Sequence, residues 1–166
     1  MKPSRALCFA LFFLLILTLA NPLIAGPSHN DLQSRIREFL DLYSKKNVAG
    51  VMNLVSNDSL LVMGSDLSEV CTRREQVEEL LRNDFRLWDS ASFGKPVQVY
   101  THQSESLITA FFDVPFTLRR GGGEQTLVVR FATVWQKTKQ GLKLVQSANT
   151  TPTVGQSAKD LLAPKQ

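Results

Sequence analysis

Few side chains in this 166-residue chain could do chemistry, and they lie far apart along it. Asp84 comes first. It stands one residue before Phe85 in the segment Asn83-Asp84-Phe85, on an apolar-striped helical stretch. A carboxylate turned into an apolar interior keeps its proton to higher pH and can serve as a general base near neutrality. The same group could instead pair with Arg130 or Arg82, or lie on a solvated rim. Arg130 and Gln136 form a second set, on the same alternating strand face as Val128, Ala132 and Val134. A polar pair on an otherwise apolar face suits the recognition groups of a cavity. The structural alternative is Arg130 paired to Asp84 or Glu69. His102 sits in Thr-His-Gln-Ser-Glu-Ser, a polar strand end, and reads as solvent-exposed, while His29 precedes the first helix. Asp113 shares a face with Thr109 and Thr117, opposite Phe112 and Val114, which places it on the outer side or at a dimer contact.

Several chemistries are excluded by what is missing. Two separated His and Cys71 do not make a metal site. The run Gly121-Gly122-Gly123 lies between strands and precedes no helix, so it is not a phosphate loop. No cofactor is implied. The chain carries a formal +4, but two of those charges are Lys2 and Arg5, so the remainder carries only +2. No basic run exceeds two residues, and nucleic acid is not an expected partner.

The first 25 residues read as a signal peptide: Lys2 and Arg5, an apolar run from Ala6 to Leu17 extended to Ala20, then Asn21-Pro22. Cleavage after Ala20 or Ala25 fits. Export to a periplasm or outside the cell is expected, with an uncleaved anchor as the alternative. Cys8 would leave with the leader. Cys71 then stands alone, without a disulfide partner, and reads as a buried thiol.

The elements that must position these residues follow from periodicity. Leu32, Ile36, Phe39, Leu40 and Tyr43 mark one helix, capped by Asn30 or Asp31. Val48, Val51, Met52 and Val55 mark a second. A short β run covers Ser59 to Met63, Ser65 to Thr72 reads as irregular, and Arg73 to Trp88 is a third helix. Its stripe ends in Trp88, a core residue and a candidate ligand contact. Period two then takes over in Val97–Tyr100, Leu107–Leu118, Leu127–Lys137 and Leu142–Asn149, and the tail over 153–166 reads as weakly ordered. The class is α+β, with helices on one face of a curved, mainly antiparallel sheet.

The pieces FLDLYSKKNVAGVMNLVSNDSLLVMGSD, EVCTRREQVEELLRNDF and VVRFATVWQKTKQGLKLVQSANTTP, in this order from Leu32 to Pro152, resemble the nuclear transport factor 2-like superfamily and, within it, SnoaL-like domains. The resemblance implies a cone: a strongly bent sheet around three helices, enclosing an apolar cavity with a few polar groups at its mouth. It also implies a homodimer through the open sheet face. Some members are steroid isomerases, polyketide cyclases or dehydratases, and others bind ligands or assemble partners, so the fold does not settle the function. Members with a pocket His often read W-K-I-V-H-x-H-x-S on the last strand. Here Leu142 replaces the aromatic, Gln146 and Ala148 the two His, and Thr150 the Ser. Gln146 and Thr150 can hydrogen-bond a ligand, but neither is a base.

Three readings follow. The favoured one is an exported domain, over residues 30–152, that binds a small apolar ligand or a protein partner without catalysis. The alternative is an isomerase- or cyclase-like enzyme with Asp84 as base and Arg130 or Gln146 as oxyanion donor. The third is an assembly module whose cone is filled by its own side chains. An open cone with Asp84 facing it favours the enzyme.

Overall fold

The computed structural model describes residues 29–153. The expected leader over 1–25, and all but Thr153 of the expected tail over 153–166, lie outside the described residues. Helix α1 spans His29–Ser44 and α2 spans Val48–Leu54. Strands β1 (Leu61–Met63) and β2 (Val70–Cys71) follow, then α3 (Arg74–Asp84). The chain closes with β3 (Ser90–Phe93), β4 (Val97–Gln103), β5 (Leu107–Arg120), β6 (Gly123–Thr138) and β7 (Gly141–Thr150).

The helices form where apolar residues recur every three to four positions. Leu32, Ile36 and Leu40 are buried along α1, and Val77 and Leu81 along α3. Lys46 adopts a left-handed conformation (φ 55°), and the Asn47 N–H returns to the Leu42 carbonyl at 2.9 Å, which stops α1. Asn47 then caps α2, its side chain accepting from the Gly50 N–H at 2.8 Å. Arg74 closes the other end of α2: its guanidinium donates to the carbonyls of Met52, Val55 and Ser56 at 2.9–3.1 Å. Gln76 accepts from the backbone N–H groups of Thr72 and Arg73, ordering the start of α3.

Seven strands make one curved sheet in the order β2-β1-β7-β6-β5-β3, with β4 also on β5. All pairings are antiparallel except β1 with β7. The β5–β6 ladder is continuous from Leu107↔Gln136 to Arg120↔Gly123 and turns on Gly121 and Gly122, both at positive φ. Alternation along β5 sends Ile108, Ala110, Phe112, Val114 and Phe116 inward against the helices. Fully burying the Ile, Val and Phe side chains among them contributes about 1.5–3 kcal/mol each.

Two strands depart from the sequence reading. Ser65 to Thr72 is not irregular throughout: Val70–Cys71 pairs with Val62–Met63 as a small hairpin. Ser90–Phe93 is a strand as well, paired with Phe116–Arg119. The third helix ends at Asp84 rather than Trp88, and Phe85 to Trp88 turns back over the cone. No helix among the described residues is long and apolar enough to cross a membrane.

Candidate functional site

The cone is open. A cavity of about 270 Å³ lies between the helices and the inner sheet face. Its walls are mostly aromatic and aliphatic: Phe39 and Tyr43 from α1, Trp88, Phe93 from β3, Phe116 from β5 and Phe131 from β6, with Val51, Val77 and Leu81 behind them. The polar groups on the wall are few: Ser65, Glu69, Asp84, Ser147, Asn149 and Thr151. No Lys, Arg or His lines it among the described residues.

Asp84 stands at the last position of α3 and is half-buried. Tyr43, from the last turn of α1, donates its hydroxyl to Asp84 Oδ2 at 2.8 Å. Burial raises the Asp84 carboxyl above its ordinary range; the Tyr43 hydrogen bond opposes this, and the charge of Glu69 adds to it. The Tyr43 phenol is pushed well up, first by burial and then by the facing Asp84. It therefore stays a donor. The Tyr43 ring also touches Phe39, Phe85, Trp88, Phe93 and Phe116, so the hydrogen-bonded pair is embedded in an aromatic cluster. Glu69 reaches the wall through the β1–β2 hairpin, where the Gly64 N–H donates to its carbonyl at 2.8 Å. The hairpin needs Gly64, since a Cβ there would lie 2.0 Å from Glu69 Oε2.

Residues 32–152 match the SnoaL-like domain family. The chain belongs to it. No curated protein matches the chain. Among solved structures, a candidate dehydratase of the nuclear transport factor 2-like family from Streptomyces avermitilis is 10% identical, with a TM-score of 0.67 over 75% of this chain and 96% of that one. A nuclear transport factor 2-like protein from Salmonella enterica is 18% identical, with a TM-score of 0.67 over 77% and 95%. A third, from Novosphingobium aromaticivorans and described as having a cystatin-like fold, is 13% identical, with a TM-score of 0.66 over 98% and 99%. Likeness at this identity concerns the fold alone.

This SnoaL-like domain brings together only part of the set expected from the sequence. Asp84 and Trp88 are on the cavity wall. Arg130 is not. It lies on the outer sheet face with its side chain 56% exposed, and it grips Asp113 through Nε and Nη2 at 2.8 and 2.9 Å. Asp113 is thus the partner, rather than Asp84 or Glu69, and its carboxyl is held below the ordinary range by that hydrogen bond. Gln136 sits opposite the outward Leu107 and shares the outer face, because the inward residues of β6 are Val129, Phe131, Thr133 and Trp135. His102 is exposed on β4.

Gln146 and Thr150 also point away from the cavity, and here the reason is a bulge. Trp135 pairs with Leu144 but Val134 pairs with Gln146, so Val145 is an extra residue in β7. Beyond it the inward positions become Ser147 and Asn149 instead of Gln146, Ala148 and Thr150. Trp88 contributes its ring surface and nothing polar: its Nε1 is sealed in the protein without a hydrogen-bond partner. The sequence reading missed Tyr43 as a site residue by treating it as core. Its spacing does fit the core stripe, and only the fold places its hydroxyl on Asp84. Cys71 is buried, as expected, and burial lifts its thiol.

Proposed function

We propose that this SnoaL-like domain holds a small, largely apolar molecule in its cone, docked by one polar group against Asp84 and Tyr43. The observation that carries this is the open cavity itself, with apolar walls and a few convergent polar groups. A cone filled by its own side chains, as a pure assembly module requires, does not fit that volume. The test is amide chemical-shift mapping during titration with small apolar alcohols and ketones. Shifts at Tyr43, Ser147 and Asn149 are expected; shifts confined to Gln136, Gln146 and Thr150 on the outer face would sink the reading.

A second reading, proton abstraction beside a carbonyl with Asp84 as base, is supported by the desolvated carboxyl on the wall. It ranks below binding because Arg130 and Gln146, the expected donors for a developing oxyanion, face outward. Deuterium exchange at carbons beside a carbonyl in trial ketones, lost in Asp84→Asn, would promote it; no exchange above background would remove it.

Two further features belong to the same proposal. The N-terminal leader supports export. Tyr100 and Phe111, paired across β4 and β5, and Val128 on β6 are exposed apolar residues of the outer sheet, suited to a homodimer contact. Sedimentation of the native chain beside Phe111→Lys tests this, and a native monomer at micromolar concentration would count against it.

A further inference from the structure

We propose that the cone selects an organic cation, an ammonium group on a compact apolar body. This deepens the reading of the cone as a ligand cavity and rests on it. Asp84 and Glu69 both lie on the wall, and no cationic side chain among the described residues lines it. The protein does not neutralise either one. Asp84 Oδ2 accepts the Tyr43 hydroxyl at 2.8 Å, and Glu69 Oε2 accepts the Asp66 N–H at 3.1 Å. The five ion pairs found among the described residues engage Glu38, Asp41, Glu78, Glu124 and Asp113, and neither wall carboxylate takes part. The nearby ammonium of Lys46 is committed to the Trp88 carbonyl and does not line the cavity. Asp84 is half-buried on an apolar wall and has no cationic partner among the described residues, and Glu69, partly exposed beside it, adds a second negative charge, so the two leave a negative field for a ligand to complete.

The rest of the lining fits the same ligand. Phe39, Tyr43, Trp88, Phe93, Phe116 and Phe131 surround the cavity, and ring faces attract a weakly hydrated ammonium while tolerating its methyl groups. A carboxylate ligand or an accumulating enolate would meet the opposite field. The geometry thus favours an amine over the anionic intermediates of carbonyl chemistry.

The probes are phenyltrimethylammonium and tert-butylbenzene, which share a shape and differ in charge. They are titrated calorimetrically into the full chain, with amide shifts at Ser147 and Asn149 locating them in the cone. The expected result is binding of the ammonium about ten-fold tighter than its neutral isostere. That ratio collapses in Asp84→Asn and narrows in Glu69→Gln. Equal or tighter binding of tert-butylbenzene by the native protein overturns the cation assignment while leaving the cavity reading intact. A ratio that persists in both variants also overturns it, since the attraction then arises elsewhere. If neither probe saturates, the cavity reading falls with it.

Discussion

The two tryptophans of this chain should answer the same substitution differently, Trp135→Phe with a loss of stability and Trp88→Phe without one. Trp135 is 1% exposed, and its Nε1 donates to Thr133 Oγ1 at 3.0 Å; that hydroxyl in turn donates to the Ala110 carbonyl at 3.2 Å. Trp135→Phe removes a satisfied hydrogen bond, about 1 kcal/mol. It also opens roughly 40 Å³, which at about 24 cal/mol per Å³ costs about 1 kcal/mol more. The total is a loss of about 2 kcal/mol. Trp88 is nearly as buried, at 8%, but its Nε1 has no partner. Trp88→Phe removes an orphaned donor whose burial costs about 1–3 kcal/mol. The void it leaves merges with a cavity already present, so the packing loss is at most about 1 kcal/mol. The variant should range from neutral to about 2 kcal/mol more stable than the parent. Urea unfolding decides the matter, with each remaining tryptophan as the fluorophore and midpoints compared at constant m. A loss in Trp88→Phe as large as that in Trp135→Phe would show that the Trp88 N–H is not an orphaned donor. In that case the Trp88 N–H is satisfied by the faces of Phe85 and Phe116, against which its ring stands at 73° and 89°.

Asp84→Asn should change the pH dependence of stability. Because the folded carboxyl titrates above its ordinary value of 3.8, the native protein loses stability as pH rises from there through the folded pKa. The Asn variant lacks that loss, so it should match the parent at acid pH and exceed it at neutral pH; a parent that gains on the variant with rising pH would show a depressed carboxyl instead. Arg74→Ala strips three charge-assisted bonds from the end of α2 and should cost about 2–3 kcal/mol, read as a lower urea midpoint. A loss under about 0.5 kcal/mol would mean that water replaces the guanidinium there. Gly64→Ala forces Glu69 away, since the new Cβ would also stand 2.7 Å from the Glu69 Cβ. It should cost roughly 1–3 kcal/mol and shift the amides of Asp66 and Glu69; unchanged amides would mean that the hairpin absorbs the methyl group.

Much of the fold was legible because its signals are local. The four-residue spacing of Leu32, Ile36 and Leu40, and the strict alternation from Ile108 to Phe116, belong to single elements whose burial repeats with the backbone period. The short strands were not legible for the complementary reason. Val70–Cys71 and Ser90–Phe93 are too brief to show a period, and they exist because β1 and β5 offer them an edge. Phe85 to Trp88 kept the helical spacing but not the helix, since a turn of about the same pitch preserves the stripe.

The site divides along the same line. Asp84 and Trp88 reached the wall because α3 follows from the sequence pattern and the turn that replaces its expected last turn keeps the same spacing. The strand residues failed by parity. On β6 the alternation was read with the right grouping, but the apolar Val128, Ala132 and Val134 face outward, and Val129, Phe131 and Trp135 fill the core. Both faces carry apolar side chains, so hydropathy alone does not say which one is inside; the large aromatics decide it, because only the interior of the cone can bury them. On β7 a single extra residue does the rest. Counting by twos from Leu144 leads to Gln146, Ala148 and Thr150, whereas counting past the Val145 bulge leads to Ser147, Asn149 and Thr151. The bulge therefore puts Ser147, Asn149 and Thr151 at the cavity in place of Gln146, Ala148 and Thr150, and neither set contains a base. Among the described residues, what is titratable inside is Asp84, Glu69 and the Tyr43 phenol, all acids. A cavity whose ionisable groups, among the described residues, are all acids, and whose aliphatic wall also carries aromatic rings, is suited to attract positive charge rather than to generate negative charge.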